Sequence, residues 1–357
     1  MGNDTLKKIL GNVAKYIIPL AIGVGLFYFL CKNVDVEQMK EIMRTNVNYW
    51  WIGLALVISV FSHIFRALRW RLQLRALNID APLSALINSI FGTYAVNLAF
   101  PRLGEVWRSG YIADRQKASF TTVFGSMVAD RLSDSVTVLL LTVFTFFIAQ
   151  DAFYTFLNTY PQIKDGLWNI LVSPWVWIML IAIIGAFMWL FIHKTSNATI
   201  NKVKLMAHNL WDGFYSITKM SGKWWFVFYT FLIWGCYFVQ LYVAFYAFPY
   251  TEDLGLKAAL VCFVLSSISM GIPTNGGLGA WHIAIIFGLS LYGIGHNFSP
   301  SGPFDAQAST FAMVVWGAQT LLLIALGIYA FIYIAIDKNF IKKGKVFVRT
   351  TGTKMKL

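Results

Sequence analysis

The chain has 357 residues, of which 58% are apolar and 13% are charged, and its mean hydropathy is +0.62. Soluble domains average about 45–50% apolar and about 25% charged residues, so this composition excludes a water-soluble enzyme, a nucleic-acid-binding domain and a disordered regulator. The sequence therefore predicts a polytopic membrane protein. Its formal net charge of +13 then indicates orientation in the membrane and contact with anionic headgroups.

Six stretches are long and apolar enough, or nearly so, to cross the bilayer core, which takes about 20 helical residues. In chain order they are 16–31, 49–65, 123–149, 171–193, 224–248 and 309–336. The first stretch resembles a secretory signal, but no small-residue cleavage site follows it, so we expect a retained helix. These stretches predict six spanning helices.

Two further apolar segments are interrupted. Residues 83–113 contain Pro101 and Gly104, and residues 256–295 contain Pro273 and the glycine-rich run 276–279. Proline lacks an amide donor and glycine favours non-helical backbone, so both helices should break at these points. Two kinks in otherwise ordinary helices would be the simpler alternative.

The distribution of charge indicates how these segments cross. Three connections carry an excess of Lys and Arg: 66–82, 194–223 and the C-terminal tail 337–357. The other connections together carry more acidic than basic residues: 32–48, 150–170, 249–257 and 296–308. Every connection obeys the positive-inside rule only if each interrupted segment enters and leaves on its own side. We therefore expect two re-entrant hairpins, with both termini in the cytoplasm.

This arrangement contains a repeat within one membrane domain, 1–357. Residues 49–149 form a span, a broken-helix hairpin and a span, and residues 224–336 repeat that order in the opposite orientation. Inverted repeats with paired broken helices are typical of transporters, because the breaks meet near the midplane and form a polar site. The predicted fold is all-α, with eight membrane segments.

Two connections have the pattern of amphipathic surface helices. In 36–47 and 203–217, apolar residues recur at helical spacing opposite charged ones. We expect both segments to lie at the membrane interface.

Arg66 and Arg69 lie one helical turn apart at the cytoplasmic end of the second span. Charges inside a membrane cost several kcal/mol unless they are paired or hydrated, so they indicate function by default. The planar guanidinium group suits recognition of a lipid phosphate. The alternative is that both residues only anchor the helix on the positive side.

The first break carries a candidate anion site. Asn97, Arg102 and Arg108 surround Gly104, whose backbone lets a ligand come close, and a helix that begins there points its positive end inward. Glu105 could pair with Arg102 or Arg108. A surface loop would have the same composition.

The start of span 123–149 carries Asp130, Arg131 and Asp134. The two carboxylates lie one turn apart on one helix face and repel each other in a low dielectric unless arginine compensates. We expect Asp130 to pair with an arginine and Asp134 to carry a proton, with Arg131 near the substrate. A structural ion pair is the alternative.

The second break contributes further candidate substrate-binding residues, namely Asn275, Gly276, Gly277 and Gly279, and His282 follows them. We include His282 with Asp130 and Asp134 as a candidate proton-coupling residue, although a lone histidine is more often a satisfied core residue. The histidines show no metal-binding spacing, and no nucleotide loop or nucleophile motif occurs, so we expect no metal, no cofactor and no catalytic residue.

Taken together, these motifs resemble one family. Asn97-x3-Pro101-Arg102-x-Gly104-Glu105-x2-Arg108, the Asp130-Arg131 pair with Asp134, and Pro273-x2-Gly276-Gly277-Leu278-Gly279 are similar to the flippase-like family of the transmembrane domain of bacterial lysylphosphatidylglycerol synthases. The resemblance runs from about residue 10 to residue 340 and implies translocation of lipids or lipid-linked carriers across the bacterial inner membrane.

There are two departures from the family pattern. Family members often have a glutamate shortly after the glycine run, where this chain has His282. Only about 20 residues follow the last span, so we expect the chain to lack the aminoacyl-transferase domain of the full synthases and not to make aminoacyl-lipid.

The resemblance and the residues together predict an inner-membrane protein that is not an enzyme. We expect it to move an anionic phospholipid or a polyprenyl-phosphate-linked lipid between leaflets, without binding nucleic acid. A second copy of the chain and a separate lipid-modifying enzyme are further candidate partners. The alternatives are a proton-coupled carrier of a small solute and an intramembrane lipid-modifying enzyme.

Overall fold

The computed structural model describes residues 24–29, 32, 34–159, 161–192, 201, 220, 222–295 and 304–342. The predicted surface helix 203–217 and the tail beyond residue 342 lie outside these residues. Of the predicted first span, 16–31, residues 24–29 are described and are helical.

The described residues form an all-helical protein. Its α-helices are α1 (Val36–Thr45), α2 (Tyr49–Ala76), α3 (Leu83–Ala99), α4 (Leu103–Gln116), α5 (Phe120–Ile148), α6 (Gln150–Thr159), α7 (Pro161–Val172), α8 (Pro174–Ile192), α9 (Lys223–Phe245), α10 (Gly255–Ser269), α11 (Ala280–Ser290) and α12 (Ala306–Lys342). Two 3₁₀ turns, Glu252–Leu254 and Asn275–Gly277, precede α10 and α11. Helix α1 confirms the helix predicted over 36–47, and Asp35 caps it by accepting hydrogen bonds from two first-turn amides.

Four helices in the described part of the chain are long and apolar enough to cross a membrane: α2, α5, α9 and α12. They coincide with four of the predicted spans and flank the two interrupted segments. Helix α8 occupies most of the predicted span 171–193. The multi-pass helical class is thus confirmed, and the count of eight membrane segments stays a prediction.

Two connections differ from what the sequence predicts. Residues 66–82 are predicted as a connection, but α2 continues to Ala76. Arginine is a good helix former, so the helix continues past Arg66 and Arg69, whose side chains pair with buried carboxylates. The predicted connection 150–170 is itself mostly helical, as α6 and α7.

Both predicted breaks are confirmed. Helix α3 ends at Ala99, and α4 begins three residues after Phe100, with Arg102 in the left-handed conformation at φ 61°. Helices α3 and α4 pack side by side and run in opposite directions. Two contacts show this arrangement: the Asn97 side chain accepts from the Gly104 amide, and the Thr93 hydroxyl donates to the Gly104 carbonyl. Helices α10 and α11 pack in the same way around the second break. The chain therefore turns back at each break, which excludes a simple kink.

The two predicted repeat units interlock. Helix α2 packs along α9, and α12 packs along α3, so each unit buries the other's helices. One apolar core lies among α2, α3 and α4, and a larger one lies among α9, α10, α11 and α12. Within this arrangement the two broken hairpins contact each other.

Candidate functional site

Seven ionisable side chains from α2, α4 and α5 come together inside the protein. We call them the charged cluster: Arg66, Arg69, Glu105, Arg108, Asp130, Arg131 and Asp134. The sequence predicts each of these residues as part of a site, but from three separate motifs. The structure shows that they share one network of ion pairs.

The centre of the cluster joins α2 to α5. Arg69 Nη2 lies 2.7 Å from Asp130 Oδ1 and 2.8 Å from Asp134 Oδ1. Arg66 Nη1 donates to Asp134 Oδ2 over 2.6 Å and lies 3.4 Å from Asp130 Oδ2. Both carboxylates therefore sit between the same two guanidinium groups, which removes their mutual repulsion. Asp130 pairs with arginine as expected, whereas the proton-carrying role of Asp134 stays a prediction.

Arg108 occupies a different place in the cluster. Its side chain is completely buried, its guanidinium carbon lies 4.5 Å from the centre of the Trp70 ring, and Nη2 lies 3.8 Å from Asp130 Oδ2. None of its three guanidinium nitrogens has a hydrogen-bond partner among the described residues. A fully buried cation with unused donors is costly, and an anionic ligand would supply the missing acceptors.

Glu105 pairs with Arg131, a partner that the sequence does not indicate for it. Arg131 Nη2 donates to Glu105 Oε1 over 2.6 Å, so the expectation that Glu105 pairs with Arg102 or Arg108 is wrong. Asn97 links this pair to the break, because its Nδ2 contacts both Glu105 oxygens and its Oδ1 accepts from the Gly104 amide over 2.8 Å. The Arg131 side chain is 34% exposed, which makes it the accessible edge of the cluster.

Gly104 is required at this position by close packing. A Cβ atom there would collide with the Thr93 carbonyl oxygen and lie 2.8 Å from Asn97 Oδ1. Glycine thus allows α4 to start directly against α3, which positions Glu105 and Arg108.

The two breaks meet each other. Arg102 lies outside the charged cluster, because its Nη2 donates to the Gly271 carbonyl of the second break over 2.9 Å. In return, Asn275 Nδ2 donates to the carbonyls of Leu98 and Ala99 at the end of α3 over 3.1 and 2.9 Å. The predicted convergence of Arg102 with Arg108 on one anion is therefore absent from this arrangement, and Arg102 instead joins the hairpins.

The glycines of the second break serve the backbone turn. Gly276, Gly277 and Gly279 all have positive φ, and the Gly276 carbonyl accepts a hydrogen bond from Trp316 Nε1 over 2.9 Å. His282 follows in α11, where it is fully buried among the rings of Phe27, Trp281 and Trp316. The break contacts the first hairpin but carries no charge of its own.

Three residues of the site are missed by the sequence-based predictions. Arg66 Nη2 donates to the Tyr237 hydroxyl over 3.3 Å, and that hydroxyl lies 3.3 Å from the Tyr94 hydroxyl. Arg69 Nη1 donates to Thr230 over 3.2 Å. Thr230 and Tyr237 are two helical turns apart and so lie on one face of α9. This spacing is the sequence signal for a polar face of that helix.

The cluster holds four guanidinium groups and three carboxylates, which leaves an excess of one positive charge. The pairs between α2 and α5 are almost completely buried, whereas Arg131 is the partly exposed member. The arrangement can therefore hold one anion at low dielectric, reached from the side of Arg131.

Comparisons with known proteins find a family model and a curated relative. A family model described as the lysylphosphatidylglycerol synthase TM region matches residues 16–327. A UPF0104 membrane protein of Pyrococcus horikoshii is 27% identical over 140 residues, which cover 38% of this chain and 41% of that relative. The chain thus spans less than half the length of this curated relative. No solved structure matches the chain.

Proposed function

The chain belongs to the lysylphosphatidylglycerol synthase TM-region family, as its motifs predict, and from this premise we propose that it moves an anionic lipid between the leaflets of the bacterial inner membrane. The substrate class is a phospholipid or a polyprenyl-phosphate-linked lipid. The family is a membrane family, and its name refers to a lipid. Movement between leaflets is our inference from the site.

The state of Arg108 is the observation that carries this proposal. Its guanidinium group is buried, has no hydrogen-bond partner among the described residues, and belongs to a cluster with one uncompensated positive charge. Phosphate oxygens match the donor geometry of a guanidinium group. A lipid phosphate would thus satisfy both the donors and the charge.

The helix breaks support transport over simple binding. Two broken hairpins lie in contact between four long apolar helices, which is the arrangement that transporters use to place a polar site within the bilayer. Contacts such as Arg102 to Gly271 join the hairpins through a few polar bonds. Such contacts can be exchanged when the two units move relative to each other.

The proposal is tested by leaflet exchange in vesicles. The purified chain is reconstituted with phosphatidylglycerol carrying a fluorescent acyl chain, and dithionite quenching measures how fast the probe moves from the inner to the outer leaflet. We expect the wild type to accelerate this exchange and Arg108→Gln to slow it about tenfold to a hundredfold, since a charge-assisted contact is worth about 1.5–3 kcal/mol.

Arg75→Gln is the matched control. Arg75 lies in the last turn of α2, where its side chain is 48% exposed and pairs with Asp80, so exchange should be unchanged. Equal exchange in the wild type and Arg108→Gln would refute the proposal. Mass spectrometry of the recovered lipid separates the alternatives, because a lipid of altered mass would indicate an enzyme.

A further inference from the structure

Helix α2 carries a buried polar stripe along one face. Its members share one side of the helix and are at most 5% exposed: Ser59, Ser62, His63, Arg66, Arg69 and Gln73. Fourteen positions at about 1.5 Å per residue make the stripe roughly 21 Å long, which is most of a hydrocarbon core of about 30 Å. On the opposite face, Val57 and Phe61 are 53% and 51% exposed.

Several polar atoms of the stripe have no hydrogen-bond partner among the described residues. Both ring nitrogens of His63 and both amide atoms of Gln73 lack a hydrogen-bond partner among the described residues. Roughly 90% or more of buried polar groups in proteins are paired, so a stripe with only a structural role should be satisfied. Unused polar atoms at two separate places on one face indicate a surface that meets water or a polar ligand in another conformation.

At the far end of the stripe, neutral side chains replace the charges. The Ser59 hydroxyl accepts a hydrogen bond from Gln319 Nε2 over 2.8 Å, and Gln319 Oε1 accepts one from Gln240 Nε2 over 2.9 Å. We call these three residues the amide bridge. It joins α2, α12 and α9, and it lies two helical turns from Arg66, or about 10 Å along α2.

The repeat relates the amide bridge to the charged cluster. Gln240 occupies the same place in α9, counted from Lys223, as Arg66 occupies in α2, counted from Tyr49. Each residue then bonds across to the last helix of its own repeat unit, Arg66 to α5 and Gln240 to α12. In an inverted repeat, such counterparts lie on opposite sides of the membrane centre.

We propose that the polar stripe of α2 is the route of the lipid headgroup and that the amide bridge is a second, uncharged binding station for its phosphate ester. This inference rests on the proposed function. A site that holds an anion only with buried arginines releases it slowly, whereas amide donors bind it weakly, and movement through a membrane needs both entry and release. Ser59 and Ser62 are fully buried in this conformation, and the amide bridge connects α2 to α9 and α12, so these helices must separate for a headgroup to pass.

Cysteine accessibility tests the route without depending on transport. In a chain whose Cys31, Cys236 and Cys262 are replaced by serine, single cysteines are placed at Ser59 or Ser62, and at Val57 or Phe61 as controls on the same helix. Vesicles are treated with a charged methanethiosulfonate reagent in the presence of phosphatidylglycerol. We expect positions 59 and 62 to react at least tenfold faster than positions 57 and 61. Equal or slower reaction at 59 and 62 would overturn the route.

The second station is tested by Gln240→Met and Gln319→Met, which keep the side-chain volume but remove the amides. We expect leaflet exchange of phosphatidylglycerol to fall at least tenfold, while the amount of co-purified anionic lipid, measured by native mass spectrometry, stays the same because the charged cluster is intact. Unchanged exchange in both variants would overturn the station. An Arg108→Gln variant with wild-type exchange would instead refute the proposed function, so the two failures can be distinguished.

Discussion

Asp130→Asn removes the carboxylate on which three buried arginines converge. Asp130 is fully buried, its Oδ1 lies 2.7 Å from Arg69, and its Oδ2 lies 3.4 Å from Arg66 and 3.8 Å from Arg108. Neutralising one partner of a buried pair leaves an uncompensated charge and costs about 3–5 kcal/mol. The ratio of folded to unfolded protein should therefore fall by about a hundredfold to a few thousandfold.

Thermal unfolding in detergent, followed by tryptophan fluorescence, measures this loss. Asp80→Asn is the matched control, because Asp80 also pairs with two arginines, Arg71 and Arg75, but lies at the surface. Exposed pairs contribute about 0–1 kcal/mol, so this variant should unfold close to the wild-type temperature. A similar loss in both variants would show that burial of the cluster does not determine its contribution.

A double-mutant cycle identifies the cause of the loss. Arg69→Gln in the Asp130→Asn background removes an orphaned cation and allows an amide–amide hydrogen bond across the same gap. The double variant should therefore be more stable than the sum of the single losses predicts, by about 0.5–3 kcal/mol as is usual for contacting residues. Strictly additive losses would refute the argument that an uncompensated charge is responsible.

Glycine packing, loop orientation and a surface ion pair each give a further test. Gly104→Ala should destabilise the protein by about 1–3 kcal/mol through overpacking against Thr93. Gly110→Ala, where a Cβ meets open space inside the same helix, should leave the unfolding temperature unchanged or raise it slightly, because alanine favours the helix. Single cysteines at Lys117 and Lys257 should be labelled only from the cytoplasm and only from outside, respectively; labelling of position 117 from outside would rule out the first re-entrant hairpin. The hydrogen bond from Arg75 holds the pKa of the Asp80 carboxyl below its ordinary 3.8, so this pair stabilises the fold at neutral pH. The contribution decreases as the pH falls below that ordinary value and is lost once the pH has passed through the lower pKa of the folded state. The small difference in unfolding temperature between wild type and Asp80→Asn should therefore shrink steadily as the solution is acidified, and a difference that stays constant would contradict this prediction.

The sequence predicts the helices and their breaks well because these features are local. Pro101 and Pro273 interrupt apolar runs for backbone reasons that need no tertiary information, and both breaks lie where expected. The end of α2 is predicted poorly for the same reason. A hydropathy pattern ends the apolar span at Arg66, whereas the helix continues to Ala76, and Arg66 and Arg69 pair with carboxylates that are distant in sequence.

Pairing within the site cannot be predicted from spacing. Arg102 and Arg108 lie on either side of Glu105 in sequence, yet Glu105 bonds to Arg131. Arg102 has a left-handed backbone conformation and donates to the second hairpin instead. Tyr94 and Tyr237 lie in apolar runs, where an aromatic residue usually indicates packing. Their role beside Arg66 depends on how α3 and α9 dock, which is a long-range property.

The uncompensated charge links stability to ligand binding. A buried arginine without acceptors disfavours the empty protein, so an anion that binds only the folded state should stabilise it by about 2.7 kcal/mol at a concentration one hundred times its dissociation constant. Phosphatidylglycerol added to detergent micelles should therefore raise the unfolding temperature of the wild type more than a zwitterionic lipid does. Arg108→Gln removes the excess buried charge, so this variant should start with equal or higher stability and respond alike to both lipids. If it keeps the full selective response to the anionic lipid, the headgroup binds elsewhere on this basic protein, and Arg108 has only a structural role against Trp70.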